Sequence, residues 1–213
     1  MYSRNRALIF EHIKEHAKIY LFMIILFLTG IIFGAIIVNS MHFIQKQDLF
    51  FYLERFFGQI VNEHGIENNI ILKESFLYHA KYLFLLFLLG LSVIGLPLIW
   101  VLLYVKGLVI GFSVGFLVNQ LGIKGLLLAS LSIAPQNVII IPIYIIAGSV
   151  AMIFSLILLG KLFSRRPSES IVQPFSRYAG AFVLLVGISF LASIVEAYVA
   201  NNSMTLLIQS LYE

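Results

Sequence analysis

The chain of 213 residues has no cysteine. That removes disulfides, thiolate metal sites and cysteine nucleophiles together, and it leaves the compartment open. Charge is the second shortage: Asp, Glu, Lys and Arg make up 11% of the residues, against roughly 25% in a soluble domain. So few charges cannot cover a water-facing surface, which excludes a soluble enzyme and a disordered tail. The net charge of +4 is not gathered into a basic run with interleaved aromatics, so nucleic-acid binding has nothing to rest on. A cleavable signal is missing as well: polar-rich residues precede the first apolar run, and no small-x-small site closes it.

What is abundant is apolar. Residues of that kind form 61% of the chain, and the mean hydropathy is +1.00. A bilayer core of about 30 Å takes roughly 20 apolar residues as a helix. The sequence predicts an all-α polytopic membrane protein with spans at 19–39, 82–105, 107–121, 137–160 and 179–200. The charge-free stretch Gly125 to Gly160 is too long for one span, and Pro135-Gln136-Asn137 divides it. Residues 125–134 are therefore expected to form a broken, re-entrant or interfacial half-helix.

The Lys and Arg residues orient the spans. An inside N-terminus keeps Arg4, Arg6, Lys14 and Lys18 in the cytoplasm, together with Lys106 in a tight turn and Lys161, Arg165, Arg166 and Arg177 in a loop over 161–178. The outer side receives Lys46, Arg55, Lys73, Lys81 and Lys124, a long loop over 40–81, and a tail over 201–213. Residues 1–18 read as an amphipathic helix on the anionic inner leaflet, with Ile9, Ile13, Ala17 and Tyr20 on one face. In the outer loop, Leu49, Phe50, Leu53, Phe56, Phe57 and Ile60 recur at helical spacing. That face must bury itself in lipid headgroups, in its own bundle or in a partner, and it is the candidate partner-binding surface.

Several strings resemble catalytic motifs. His12-Ile13-Lys14-Glu15-His16 matches H-x-x-E-H, but zinc chemistry also needs a third ligand and a substrate cleft, so a solvated helix face is the better reading. Gly111-Phe112-Ser113-Val114-Gly115 matches G-x-S-x-G. A nucleophilic serine needs a base within hydrogen-bond reach, and all five histidines (12, 16, 42, 64 and 79) fall outside the expected spans. The glycines have a second meaning: Gly107, Gly111 and Gly115, with Gly30 and Gly34 in the first span, line helix faces with hydrogens alone and allow close backbone approach. Helix packing is the preferred reading. No metal site and no cofactor is expected.

Glu196 is the one acid inside a span, a functional candidate by default. It lies near an outer end, where it reaches the interface, and no buried Lys, Arg or His is expected beside it. Gln136 and Asn137 present amide groups that lipid cannot satisfy. With Pro135 and Pro142 they mark a helix break, structural in the plainer reading and a transporter-like site at membrane depth in the other.

The plan of the whole chain resembles the stage II sporulation protein M family of endospore-forming bacteria. The resemblance is carried by Lys106-Gly107-x3-Gly111-x3-Gly115 and by Ser132-Ile133-Ala134-Pro135-Gln136-Asn137-x4-Pro142. Related sequences often show Pro-His-Gly-x-x-Glu-x-Pro at the second string; this chain keeps both prolines and has Gln136, Asn137 and Ile140 in place of His, Gly and Glu. The resemblance implies a non-enzymatic scaffold in the cell membrane, on the mother-cell side of the sporulation septum. It would anchor two peptidoglycan-degrading partners, stage II sporulation proteins D and P, for septal thinning and engulfment of the forespore. A transporter or channel subunit built on the Pro135–Pro142 break is the alternative. Oligomeric state is left open.

Overall fold

A computed structural model describes residues 14–62, 67–163 and 171–212. The described residues are almost wholly helical. Helix α1 is Ala17–Ser40, α2 Phe43–Asn62, α3 Asn68–Gly90, α4 Gly95–Ser132, α5 Ala134–Phe163 and α6 Val172–Ile194. A π-helical turn, Val195–Ala200, joins α6 to α7, Asn201–Tyr212. Most of the N-terminal helix expected over 1–18, His12 included, lies outside the described residues.

Among the described residues, four helices are long and apolar enough to cross a membrane: Ala17–Ser40, Gly95–Ser132, Ala134–Phe163 and the continuous Val172–Gln209. Their outward faces are greasy. On α1 alone Leu21, Ile25, Leu28, Ile32, Phe33 and Ile36 are exposed, a contiguous apolar surface that water would not tolerate. Helix α3 is less apolar because Lys73, Glu74 and Lys81 interrupt it, yet it packs in the same bundle against α4, α5 and α6.

The order of contacts gives the directions. Phe22 of α1 meets Trp100 of α4, and Asn39 of α1 meets Asn119 of α4, so these two helices run parallel. A parallel pair requires a return element, which is α3: its Tyr78 meets Lys106 and its Tyr82 meets Leu102. Helix α5 then descends, with Ser155 donating to the carbonyl of Ser92 at 2.8 Å. Helix α6 ascends from Tyr178, which donates to the carbonyl of Phe87 at 2.7 Å. The innermost helix is α5, whose Ile140, Tyr144, Ala147, Ala151 and Phe154 are buried at helical spacing.

Three sequence expectations are corrected. The chain turns at Leu91–Ile94, where the Leu91 and Ser92 amides bond the carbonyls of Leu88 and Leu89, and not at Lys106, which lies inside α4. The run from Tyr82 to Val105 is therefore two helix ends and a turn. All the turn residues are apolar or neutral, so hydropathy hid the reversal. Second, the expected outer loop over 40–81 ends early, because α3 begins at Asn68. Third, the break near Pro135 is displaced: α5 starts at Ala134 with Pro135 in its first turn, where a missing N–H costs no helical bond.

The break that splits off the half-helix is Gly122, at φ 59° and ψ −130°. Only glycine adopts that conformation without strain, and open space surrounds it, so the requirement is conformational. The segment beyond it lays Leu128 and Ala129 against Phe57 and Ile60 of α2, Leu117 of α4 and Ile208 of α7. This second core caps the end of the bundle that carries Asn39 and Asn119.

The glycines set the spacing of α1 and α4. A Cβ on Gly107 or Gly111 would strike the carbonyl oxygen of Phe27 or Ile31, and one on Gly30 or Gly34 that of Tyr104 or Leu108. Gly115 faces Ala35 with a little more room, the nearest atom lying 3.1 Å from such a Cβ. Gly111→Ala is expected to lower stability by about 1–3 kcal/mol, the usual cost of overpacking. Gly180→Ala, in open space on α6, should be neutral or stabilising by up to about 1 kcal/mol. Thermal unfolding midpoints in one detergent check the ordering.

Candidate functional site

A cavity of about 530 Å³ opens between α3, α4, α5 and the π-helical turn. Its walls carry Glu74, Ser75, Tyr78, His79, Lys106, Ser113, Gln136, Asn137, Tyr144 and Glu196. Lys106 lies roughly 16 Å along α4 from its start, by the rise of an α-helix, close to the middle of the α1–α4 pair. In a chain this poor in charge, an ammonium, an imidazole and two carboxylates share one cavity.

The π-helical turn carries Glu196. Such single turns are uncommon and favour functional positions. Its carboxylate accepts a very short hydrogen bond from the Ser75 hydroxyl of α3. With the Gln136 amide oriented to satisfy its neighbours, its nitrogen donates to both carboxylate oxygens, at 2.9 and 3.1 Å. The Ser193 hydroxyl oxygen lies 3.2 Å from that of Ser75. Three helices thus meet on one carboxylate.

His79, one turn along α3 from Ser75, is buried. Its Nδ1 shares a 2.6 Å hydrogen bond with the Tyr144 hydroxyl of α5. Its Nε2 has no hydrogen-bond partner and lies 3.5 Å from Glu196 Oε2. Lys106 is held differently. Its ammonium donates to the Tyr78 hydroxyl at 2.6 Å and faces the rings of Tyr78, Tyr82 and Tyr144 at 4.1, 5.0 and 5.1 Å. An aromatic cage of this kind stabilises a desolvated cation.

Two sequence expectations give way here. Glu196 has its counterparts: His79 is beside it and Lys106 lines the same cavity. His79 does not lie outside the bundle but in its interior. The misplaced boundary of α3 caused both errors, since Lys73, Glu74 and Lys81 read as loop residues. A period-four reading over Ser75, His79, Leu83, Leu86 and Gly90, all buried, would have found the helix and put His79 on its inner face.

The other candidates divide. Gln136 meets Glu196, whereas the Asn137 side chain donates to the carbonyl of Ile133, one turn back, at 2.7 Å. Pro142 lies within α5. Ser113 lines the cavity, while Gly111 beside it faces α1. In the outer set, Phe57 and Ile60 are buried, and Leu53 packs against them. Leu49 and Phe50 are half-buried, and Phe56 is exposed. Much of that face is thus covered by the chain's own α7 and half-helix. Among the described residues no group of three His, Asp or Glu is placed to hold a metal ion.

No curated protein and no solved structure matches the chain. The sequence model of Stage II sporulation protein M matches residues 23–201, a stretch that takes in the whole cavity and all but the start of α1 and the greater part of α7. The chain therefore belongs to the stage II sporulation protein M family, a sporulation family whose membrane character agrees with these apolar helices.

Proposed function

We propose that the chain is a non-enzymatic scaffold, crossing the membrane five times, which recruits and anchors peptidoglycan-degrading partners at the sporulation septum. The partners in this reading are stage II sporulation proteins D and P, and the task is septal wall thinning and engulfment from the mother-cell side. Family membership supports the sporulation setting. The positive-inside rule supports the orientation: Lys14, Lys18, Lys161 and Arg177 gather at the end where α1 starts, α5 ends and α6 starts. That end faces the cytoplasm, and the C-terminus lies outside.

One observation carries the docking role. The outer helix α2 uses Phe57 and Ile60 to seat itself on the bundle, yet it keeps a second set of large apolar side chains in the open. Phe43, Ile44, Phe51 and Tyr52 are all at least 60% exposed. They sit outside the apolar spans, beyond the turn at Met41, where a wall-side partner has access. Aromatic side chains are the usual anchors of such contacts.

Phe51→Asp combined with Tyr52→Asp is expected to leave insertion and accumulation unchanged, because neither side chain is buried. Co-purification of the wall hydrolases should fall by about tenfold or more, as for loss of an aromatic anchor. Undiminished co-purification from a stable variant would remove α2 as the docking surface.

A second reading, a transporter or channel subunit, is favoured by the polar cavity beside the start of α5. It expects solute- or ion-dependent flux through the protein in proteoliposomes, lowered by Gln136→Leu. Absence of flux, with hydrolase binding intact, leaves the scaffold alone.

A further inference from the structure

We infer that His79 and Glu196 form an intramembrane proton-binding site, loaded through the cavity from the end of the bundle that carries Asn39 and Asn119. The ligand is a single exchangeable proton. This goes beyond the scaffold reading and does not depend on solute crossing the protein.

The geometry argues for a proton in three ways. First, the imidazole is aimed. Tyr144 fixes the ring through Nδ1, and the remaining nitrogen, Nε2, is buried without a hydrogen bond, 3.5 Å from a carboxylate oxygen. If the Tyr144 hydroxyl donates to Nδ1, Nε2 carries the hydrogen and presents it to Glu196. If Nδ1 donates instead, two lone-pair acceptors face each other until a further proton comes between them. In the second arrangement the gap between Nε2 and Oε2 is an open proton position; in the first the Nε2 hydrogen occupies it, and in both the added proton is carried by Glu196.

Second, the charges around the pair make both occupancies tolerable. The groups facing it are Glu74, Tyr78 and Tyr82 from α3, Lys106 from α4 and Tyr144 from α5, with Glu196 itself on the turn after α6. Without the extra proton, the Glu196 carboxylate and the caged Lys106 ammonium balance at zero net charge. With it bound on the carboxyl, the Lys106 ammonium leaves a single positive charge; Glu74 at the exposed rim lowers the sum by one in both states. Neither state strands a large net charge in an apolar surround, whose cost would forbid exchange. Bookkeeping is complete: one proton enters from water, binds an Oε atom of Glu196, and leaves the same way, with no electron transfer.

Third, the site has an entrance and movable partners. Glu74 is exposed at the rim, next to Ser75 and toward the outer start of α3. The carboxylate sits on the π-helical turn and is held by Gln136, next to the start of α5. Protonating it weakens the two bonds from Gln136 and so acts on both irregular elements at once.

The test is infrared difference spectroscopy of the full chain in lipid nanodiscs, acid minus neutral. The wild type is expected to show the carbonyl band of a protonated carboxyl in an apolar site. The band should be lost in Glu196→Gln, be kept in Glu74→Gln, and move in frequency in His79→Gln, where the ring beside the carboxyl is gone. A wild-type spectrum with no such band, or a band that persists in Glu196→Gln, overturns the inference. Should Glu196→Gln not survive purification, Ser75→Ala decides. It removes one hydrogen bond from the carboxylate, so the band must move in frequency; an unmoved band belongs to another acid and equally overturns it. Hydrolase co-purification and solute flux are separate readouts, so failure here leaves the scaffold and transport readings standing or falling on their own tests.

Discussion

A carboxylate inside an apolar bundle is tolerated only when other groups meet its charge and lone pairs, and Glu196 imposes that demand on the whole site. Ser75 answers from α3 and Gln136 from α5, while His79 stands by at 3.5 Å. Each answer fixes a piece of architecture. Ser75 and His79 must lie on the inner face of α3, so α3 must cross the bundle with its charged residues elsewhere. Gln136 must reach the carboxylate, so α5 must begin close to the turn that carries Glu196. The π-helical turn itself adds a residue to the helix just where the carboxylate has to face inward.

The outer half of the protein follows from a different constraint. Gly122 interrupts α4 in a conformation open to glycine alone, and the half-helix behind it folds over the end of the bundle. Leu128 and Ala129 then complete a small core with Phe57, Ile60 and Ile208. Two tiers result: a lower one whose helices face lipid and enclose the cavity, and an upper one that holds α2 with aromatics exposed. In the proposed account the upper tier meets the wall hydrolases, and the lower tier anchors it. The Gly107–Gly111 contact with α1 links the two, since α1 leads directly into α2.

Much of this was legible in the sequence. Poverty of charge marked a membrane protein, and the glycine spacing anticipated the close approach of α1 and α4. The segment before Pro135 is helical, but it continues α4 across a kink at Gly122 and ends at Ile133, and the amide pair does not bound it. What escaped was the cavity. Its acid and its imidazole are far apart in the chain, and one misplaced boundary hid their meeting. Hydropathy draws lines at charges, so Lys106 read as a turn and Lys73, Glu74 and Lys81 as a loop. The real reversal at Leu91–Ile94 carries no charge. A lysine inside a helix bundle is visible only once three tyrosines from two other helices are seen around it.

The whole account rests on α3 crossing the membrane, because only then does His79 lie at depth beside Glu196. Absence of cysteine makes the direct measurement clean: single cysteines at Asn39, Ser92, Asn119 and Asn202, probed with a membrane-impermeant maleimide from each side. Asn39→Cys, Asn119→Cys and Asn202→Cys should react from the outside and Ser92→Cys only from the cytoplasmic side. Labelling of Ser92→Cys from the same side as Asn119→Cys would contradict the crossing and remove the intramembrane site with it.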